Sequence, residues 1–345
     1  MASELTAEMM MDSLYSLPDQ FEYSLGLHFD FGSSYKLEYR NIVISGLGGS
    51  AIGGDIIRTY ALRRLGIPVV VNRDYEIPAF VGEHTLFVAA SYSGNTEETL
   101  SSYRQAKTRG ASILCISSGG ELSALAGADG FGLVKIPGGL MPRAATGYLF
   151  GALILALENL GLFSGVRSEL EETVALLKAM REELKPSVKA PDNLARTIAA
   201  SMKGAIPVIW GSSGNSETVA LRWKTQINEN AKCPAYHNIF PELNHNELVG
   251  FEVPAALLSQ TSIVILQDEQ DHVRVKKRME ISSEIIKEQV KEIIAVKSRG
   301  TSFLARFFSL VYIGDYASAY LAEEYGINPT PVAVIDYLKA ELAKC

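Results

Sequence analysis

The sequence predicts an α/β protein of two similar domains, each with a mainly parallel sheet flanked by helices. Short apolar runs rich in β-branched residues alternate with helical segments along most of the chain. Several of those runs are apolar throughout, as strands covered on both faces must be. The alternation also restarts: NIVISGLGGSAIGGDII near the beginning is echoed by IPVIWGSSGNSETVALR past the middle. Each is an apolar strand, a Gly/Ser turn and a helix, and aligning Gly46 with Gly211 makes this a weak internal repeat.

In order, two N-terminal helices precede strands expected at NIVIS (41–45), VVVN (69–72), LFVAA (86–90), SILCI (112–116) and FGLVKI (131–136). GYLFGALILAL (147–157) is the most apolar segment. It falls well short of the roughly 20 residues that span a bilayer and reads as a buried helix. An amphipathic helix, SELEETVALLKAMREEL, then leads to KPSVKAPD (185–192), whose prolines and lysines mark a linker. Strands are expected again at IPVIW (206–210), AYHNIF (235–240), SIVIL (262–266) and EIIAV (292–296), and the charge-rich stretch 268–289 reads as a solvated helix face. The expected division is an N-terminal domain over 1–162, a helix and linker over 163–191, and a C-terminal domain over 192–345.

With 345 residues, 47% of them hydrophobic, the chain can bury a large core. A formal charge of -7 repels a phosphate backbone and argues against nucleic acid as a partner, while leaving room for a local basic pocket. Cys115, Cys233 and Cys345 have no spacing that suggests a disulfide framework or zinc. The N-terminal stretch carries acids where a signal peptide needs cations. A reduced, cytoplasmic protein is expected, with no membrane partner. No metal is expected, because His and carboxylates show no ligand spacing.

In parallel sheets ligands sit beyond the carboxyl ends of the strands, where GLGGSA (46–51), SYSGNT (91–96) and GSSGNS (211–216) fall. GLGGSA fits G-x-G-x-x-A, so a dinucleotide is one reading. The ribose-binding acid would then be Asp74, which stands late and behind Arg73. SYSGNT favours a compact phosphate, whose oxygens could be met by the hydroxyls of Ser91, Ser93 and Thr96, with Gly94 letting the backbone approach. The ordinary alternative is that Asn95 or Thr96 only caps the helix TEETLSSYRQAK, with Glu98 as partner.

Five stretches in the same order, GLGGSAIGGD, SYSGNTEET, MPRAATGYL, INENAK and ELNHNELVGFE, resemble the bifunctional phosphoglucose/phosphomannose isomerase family. The resemblance runs from about residue 40 to the C-terminus. It implies two three-layer sugar-isomerase (SIS) domains and cofactor-free interconversion of glucose 6-phosphate, and of mannose 6-phosphate, with fructose 6-phosphate through a cis-enediolate. Gly48, Gly49, Ser50, Ser91, Ser93 and Thr96 would hold the phosphate. It further implies a homodimer whose shared active site takes a histidine across the interface.

Such a reaction needs a base, a ring-opening group and positive charge for the enediolate. Val219, Trp223 and Ile227 form a buried helical stripe, leaving Arg222, Gln226 and Glu229 on a polar one. Glu229 falls near the helix end, where the dipole would push a carboxyl's pKa upward. By pattern it could equally be an exposed helix-end glutamate; the resemblance makes it the catalytic base. His245, one of five histidines, lies in the polar stretch ELNHNEL and by pattern is a loop or cap residue. The resemblance gives it ring opening. Arg143 follows Pro142, which is placed to start the apolar helix, and an arginine there is unfavourable unless an anion is close. Its ordinary role would be an interdomain ion pair, and the resemblance turns it toward the enediolate. Lys339, in DYLKAEL, corresponds to a family lysine near the ring oxygen, on what is otherwise an ordinary amphipathic helix. Thr330, in NPTPV, corresponds to the threonine tied to acceptance of both epimers, or else caps the helix begun by Pro331. Three rivals remain: a non-catalytic phosphosugar-binding SIS regulator, an NAD-dependent dehydrogenase using GLGGSA, and an isomerase of amino sugar phosphates.

Overall fold

A computed structural model of the chain describes residues 5–31, 35, 38–342 and 344, so Cys345 lies outside the described residues. Among them the first elements are α1 (Ala7–Tyr15), α2 (Leu17–Leu25), β1 (Asn41–Ser45), α3 (Gly49–Ala61), β2 (Val69–Asn72), β3 (Thr85–Ala90), α4 (Glu97–Thr108), β4 (Ser112–Ser117), α5 (Gly120–Asp129), β5 (Gly132–Lys135), α6 (Thr146–Asn159) and α7 (Val166–Leu184). There follow α8 (Leu194–Met202), β6 (Ile206–Ser212), α9 (Glu217–Gln226), β7 (Tyr236–Phe240), α10 (Ala255–Leu258), β8 (Thr261–Gln267), α11 (Val273–Ile286), β9 (Glu292–Lys297), α12 (Phe303–Glu324) and α13 (Ala333–Leu342). Every strand expected from the sequence forms, because an apolar β-branched run can be buried on both faces only inside a covered sheet. The chain divides into two compact units, one holding Ser16–Ala179 and Arg299–Phe308, the other the described residues up to Tyr15, Met180–Ser298 and those from Ser309 onward.

In the first unit five parallel strands run in the order β2-β1-β3-β4-β5. β3 is buried at every position, and Val43, Phe87, Ala89, Ile113 and Cys115 meet Leu100, Tyr103 and Ala106 of α4 in one core. The chain steps from β1 outward to β2 and then back across to β3. The crevice between β1 and β3 is therefore a topological switch point, where doubly wound sheets bind ligands. This 2-1-3-4-5 order differs from the 3-2-1-4-5-6 order of the dinucleotide fold.

Buried on nearly all sides, α6 packs on α2 through Gly147 and Gly151, where an added Cβ would stand 2.6 Å from Gln20 Cβ and 2.7 Å from Ser24 Oγ. The amide of Gln20 donates to Ala144 O (2.9 Å) and accepts from Gly147 N (3.1 Å). Pro142 does not start α6. It starts a separate 3-10 turn, Pro142–Ala144, closed by Ala144 N–H donating to Met141 O at 2.8 Å, and α6 begins at Thr146. A proline fits the first position of either kind of turn, so the sequence pattern could not separate them.

In the second unit four parallel strands run β7-β6-β8-β9. Trp210, Phe240, Leu243, Ile263, Ile265 and Met279 form its core. Val219, Trp223 and Ile227 are buried as the stripe predicts. The indole N–H of Trp223 donates to Leu310 O (2.8 Å), an approach open only because residue 314 is glycine: a Cβ there would lie 2.1 Å from that nitrogen. The expected linker 185–192 is tied down by Asn193, whose amide donates to Leu184 O (3.0 Å) and Val188 O (3.2 Å) while accepting from Arg196 N (3.2 Å) to cap α8. Within the charge-rich stretch α11 buries only Met279, Ser282 and Ile286. Asp268 and Asp271 depart from the expected solvated face: both are buried, Asp271 against Ser212 and Asn215 at the end of β6, and Asp268 with its Oδ1 accepting from Gln270 N at 2.8 Å.

Candidate active site

The loops after β1 and β3 open onto the switch point of the first unit. Gly48 N-caps α3 at φ 52°, a left-handed value that favours glycine. At Gly49 an added Cβ would lie 2.6 Å from Pro142 O, so only glycine lets this loop rest against the turn that carries Arg143. Ser50 Oγ then accepts from Tyr92 N (3.2 Å), joining the first loop to the second.

In the second loop Gly94 adopts φ 74°, and a Cβ there would overlap the Gly119 carbonyl. Ser91 is fully buried, its Oγ 2.9 Å from Thr96 Oγ1 and accepting from Gly94 N at 3.0 Å. Ser93 is exposed and its Oγ accepts from Asn95 N (3.3 Å). Thr96 stands at the N-cap position of α4 with extended backbone, yet its hydroxyl makes no capping bond. Asn95 Oδ1 accepts instead from Glu121 N of α5 at 2.9 Å. The capping alternative thus fails for α4: its first amides keep no side-chain partner from this loop, while hydroxyls gather beside them. Arg143 is 5% exposed in its 3-10 turn, against the Gly49 loop. Gly48, Gly49, Ser50, Ser91, Ser93, Thr96 and Arg143 are therefore brought together.

Asp74, the acid of the dinucleotide reading, lies past the end of β2 and accepts from Tyr75 N (2.6 Å), and its carbonyl accepts from Asn72 Nδ2 (3.0 Å).

Glu229, His245, Thr330 and Lys339 belong to the second unit. At Gln226 the α-helix gives way to a π-helical turn, Ile227–Ala231, and Glu229 sits half-buried in its middle. Such turns cost regular hydrogen bonding and concentrate at functional sites. Two buried networks hold this one. The Arg222 guanidinium donates to both oxygens of Asp315 (3.0 and 2.7 Å) and Gln226 adds 3.1 Å to the same carboxylate. Asn230 Nδ2 donates to Ser318 Oγ at 2.9 Å. Burial pushes the Asp315 carboxyl above its ordinary value, against the pull of Arg222 and Gln226. Arg222 and Gln226 are consequently not on an open polar stripe with Glu229; they are buried on α12. Lys232, at φ 54°, ends the helix and donates to the carbonyls of Glu229 (2.6 Å) and Pro329 (3.1 Å). It places a cation at the negative end of the helix.

His245 ends a 3-10 turn, Glu242–His245, and is exposed. The turn that follows is anchored by Glu247, which accepts from the Trp210 indole (2.7 Å) and from Asn238 (2.5 Å). Thr330 is buried, with Oγ1 donating to Thr6 O at 2.6 Å, and α13 starts only at Ala333, so it does not cap that helix. Lys339 is exposed on α13, a helix that buries none of its residues. Asp315 is the partner that pattern reading missed. A lone acid inside the apolar run SLVYIGDYASAYLA was the available signal, since a buried carboxylate requires a cation or several donors. Among the described residues, no three of His, Cys, Asp and Glu are grouped as metal ligands would be.

The family model of the SIS domain matches residues 37–129, and that of the bacterial phospho-glucose isomerase C-terminal SIS domain matches residues 191–342. A bifunctional phosphoglucose/phosphomannose isomerase from Caldicellulosiruptor bescii is 48% identical over 336 residues, 97% of this chain and 99% of that protein. One from Aquifex aeolicus is 38% identical over 307 residues, covering 89% and 91%. Among solved structures, a hypothetical protein from Thermus thermophilus aligns over 97% of this chain and 90% of that chain with a TM-score of 0.77. At 16% identity that likeness is one of fold alone.

Proposed function

This chain belongs to the bifunctional phosphoglucose/phosphomannose isomerase family and is an aldose-ketose isomerase of sugar phosphates; from that premise we propose that it interconverts glucose 6-phosphate and mannose 6-phosphate with fructose 6-phosphate, with Glu229 as the base. The phosphate is taken by the crevice between β1 and β3, through the hydroxyls of Ser50, Ser91, Ser93 and Thr96 and the backbone at Gly48 and Gly49. The observation that carries this reading is the β3 loop, where the Thr96 hydroxyl pairs with Ser91 and leaves the α4 amides without a side-chain cap. Amides and hydroxyls are the donors that a phosphate with three accepting oxygens requires.

His245, assisted by Lys339, carries the proton of the C1 hydroxyl to the ring oxygen as the bond between C1 and that oxygen breaks, giving the open-chain aldehyde. The Glu229 carboxylate removes the C2 proton, and the electron pair left behind forms the C1=C2 bond of a cis-enediolate, with charge gathered on O1. Arg143 stabilises that charge. The O2 proton passes to O1 and the charge to O2; as the C2=O bond forms, the C1=C2 electron pair takes the proton back from Glu229 at C1, so no electrons leave the sugar. Thr330 borders the C2 end in this reading, its small side chain leaving room for either epimer. The π turn beneath Glu229 and the buried networks under it support a fixed base, because a base acts only when held within hydrogen-bond reach of its proton.

A homodimer with a shared active site is part of the proposal, supported by the exposure of His245 and of Val334, Tyr337 and Leu338 on α13. A cytoplasmic location belongs to it as well, supported by the free thiols of Cys115 and Cys233.

The test is fructose 6-phosphate in deuterated buffer with purified protein and no added nucleotide, the products resolved by NMR. Glucose 6-phosphate and mannose 6-phosphate should both appear, with deuterium at C2, and a chelator should leave the rate unchanged. Turnover that requires NAD or an added metal ion would remove this mechanism.

A further inference from the structure

The second sheet repeats the topology of the first at the place where the first opens. β6 pairs with β7 on one side and β8 on the other, as β1 pairs with β2 and β3, so β6 and β8 flank a second switch point. The stretch Gly211–Ser216, the last two residues of β6 and the turn beyond them, corresponds to GLGGSA after β1. The turn Asp268–Asp271 leaves β8 where Ser91–Gly94 leaves β3. Both turns close with the fourth residue's N–H donating to the first residue's carbonyl at 3.1 Å, which pairs Asp271 with Gly94.

What differs is the chemistry. At the second crevice Asp271 Oδ1 accepts from the Ser212 hydroxyl (2.5 Å) and the Asn215 amide (2.8 Å), and Oδ2 accepts from Asp268 N (2.8 Å). Ser216 Oγ backs this set, 3.2 Å from Ser212 Oγ and accepting from Ser212 N at 2.9 Å. Ser212, Asn215, Ser216, Asp268 and Asp271 are all more than nine-tenths buried. Two side-chain donors and a backbone amide converging on one buried carboxylate form an oxyanion site already filled from within the chain.

We propose that Asp271 is the built-in anion of the second domain: its carboxylate fills the crevice between β6 and β8, so each chain keeps a single phosphosugar site, and removing it opens a second site for inorganic phosphate or a phosphate monoester. The parallel with the first crevice rests on the phosphate reading above, whereas the donor set around Asp271 stands without it. At the matching position the first crevice has Gly94, which brings no side chain and no carboxylate to its turn.

Asp271→Gly removes the carboxylate and leaves its donors without an acceptor. The probe is inorganic phosphate, measured by calorimetry in the unaltered chain, in Ser91→Ala/Ser93→Ala, and in each with Asp271→Gly added. The glycine should add one bound phosphate per chain in both backgrounds. If the serine reading fails, the unaltered chain and Ser91→Ala/Ser93→Ala will bind phosphate alike, yet Asp271→Gly still adds one. Thermal unfolding is the second measurement. Asp271→Gly should lower Tm by about 5 °C or more in phosphate-free buffer, as donors buried without an acceptor do. Phosphate or formate should restore most of that loss, and chloride at equal ionic strength should not. No added phosphate site, or a Tm loss indifferent to phosphate and formate, overturns the proposal. If Asp271→Gly fails to fold without phosphate, recovery of folded protein on refolding in phosphate supports it, and failure in both buffers overturns it.

Discussion

In the proposed mechanism Thr96 and Glu229 carry opposite halves of the chemistry, and each can be separated from a purely structural role by one isosteric change. Thr96 makes no capping bond to α4, so Thr96→Val removes a hydroxyl whose partner is Ser91 Oγ and leaves the helix start as it was. A lost N-cap typically costs about 1 kcal/mol. Chemical denaturation of Thr96→Val should therefore show a loss well under that figure, while KM for fructose 6-phosphate rises by about tenfold, the worth of one hydrogen bond to a charged group. A full capping penalty with unchanged KM would return Thr96 to the helix. Glu229→Gln keeps the shape of the side chain on its π turn and removes its ability to take a proton. Its kcat, and exchange of the C2 proton followed by NMR, should fall by about 10²–10⁴. The dissociation constant for fructose 6-phosphate should stay within a few-fold. A variant that keeps a tenth or more of the activity places the base elsewhere.

The elements beneath Glu229 decide how firmly it is held, and the join between α9 and α12 is where that firmness resides. Asp315 and Arg222 are both nearly inaccessible, at 1% and 2% exposed, so removing one charge strands the other. Asp315→Leu should cost about 3–5 kcal/mol by denaturant unfolding, and Asp315→Leu/Arg222→Met should recover much of it, because a well-packed apolar pair often equals a buried ion pair. The double variant should nonetheless keep a depressed kcat, since Gln226 loses its acceptor directly before the π turn. Full recovery of stability and kcat together would show that the network serves packing alone. Asp315 also marks how much was legible beforehand. The strands were, since runs such as LFVAA and SIVIL tolerate only a covered sheet, and so was the hydroxyl density of SYSGNT. The π turn was not, because INENAK continues the helical pattern of α9 and its widening depends on partners nearly ninety residues away, among them Ser318 (|i−j| 88 from Asn230). Asp271 reads as a solvated charge because nothing local announces the donors Ser212 and Asn215 at the end of β6. Arg143 was placed one turn wrongly, as Pro142 suits a 3-10 turn as well as the first turn of α6.

On the scale of the whole molecule, α13 is the feature that a single chain leaves unexplained. Val334 is 83% exposed, Tyr337 68% and Leu338 57%, and the helix buries none of its residues, although most of AVIDYLKAEL is apolar. Apolar surface of this kind on a folded protein marks an interaction site, and a symmetric pair of chains is the commonest way to cover it. If the dimer also completes the active site, Glu229 of one subunit works with the histidine at 245 of the other, and the two can be disabled on separate chains. Glu229→Gln and His245→Ala homodimers should each be nearly inactive. Mixed by unfolding and refolding in equal amounts, about half of the dimers will be hybrids. In each hybrid one site carries both lesions and the other carries neither, so the mixture should regain about a quarter of the unaltered activity. A site built within one chain gives no regain, because every site then keeps its own lesion. Tyr337→Glu/Leu338→Glu supplies the control: dimers that cannot form should abolish the regain, and sedimentation should report a monomer.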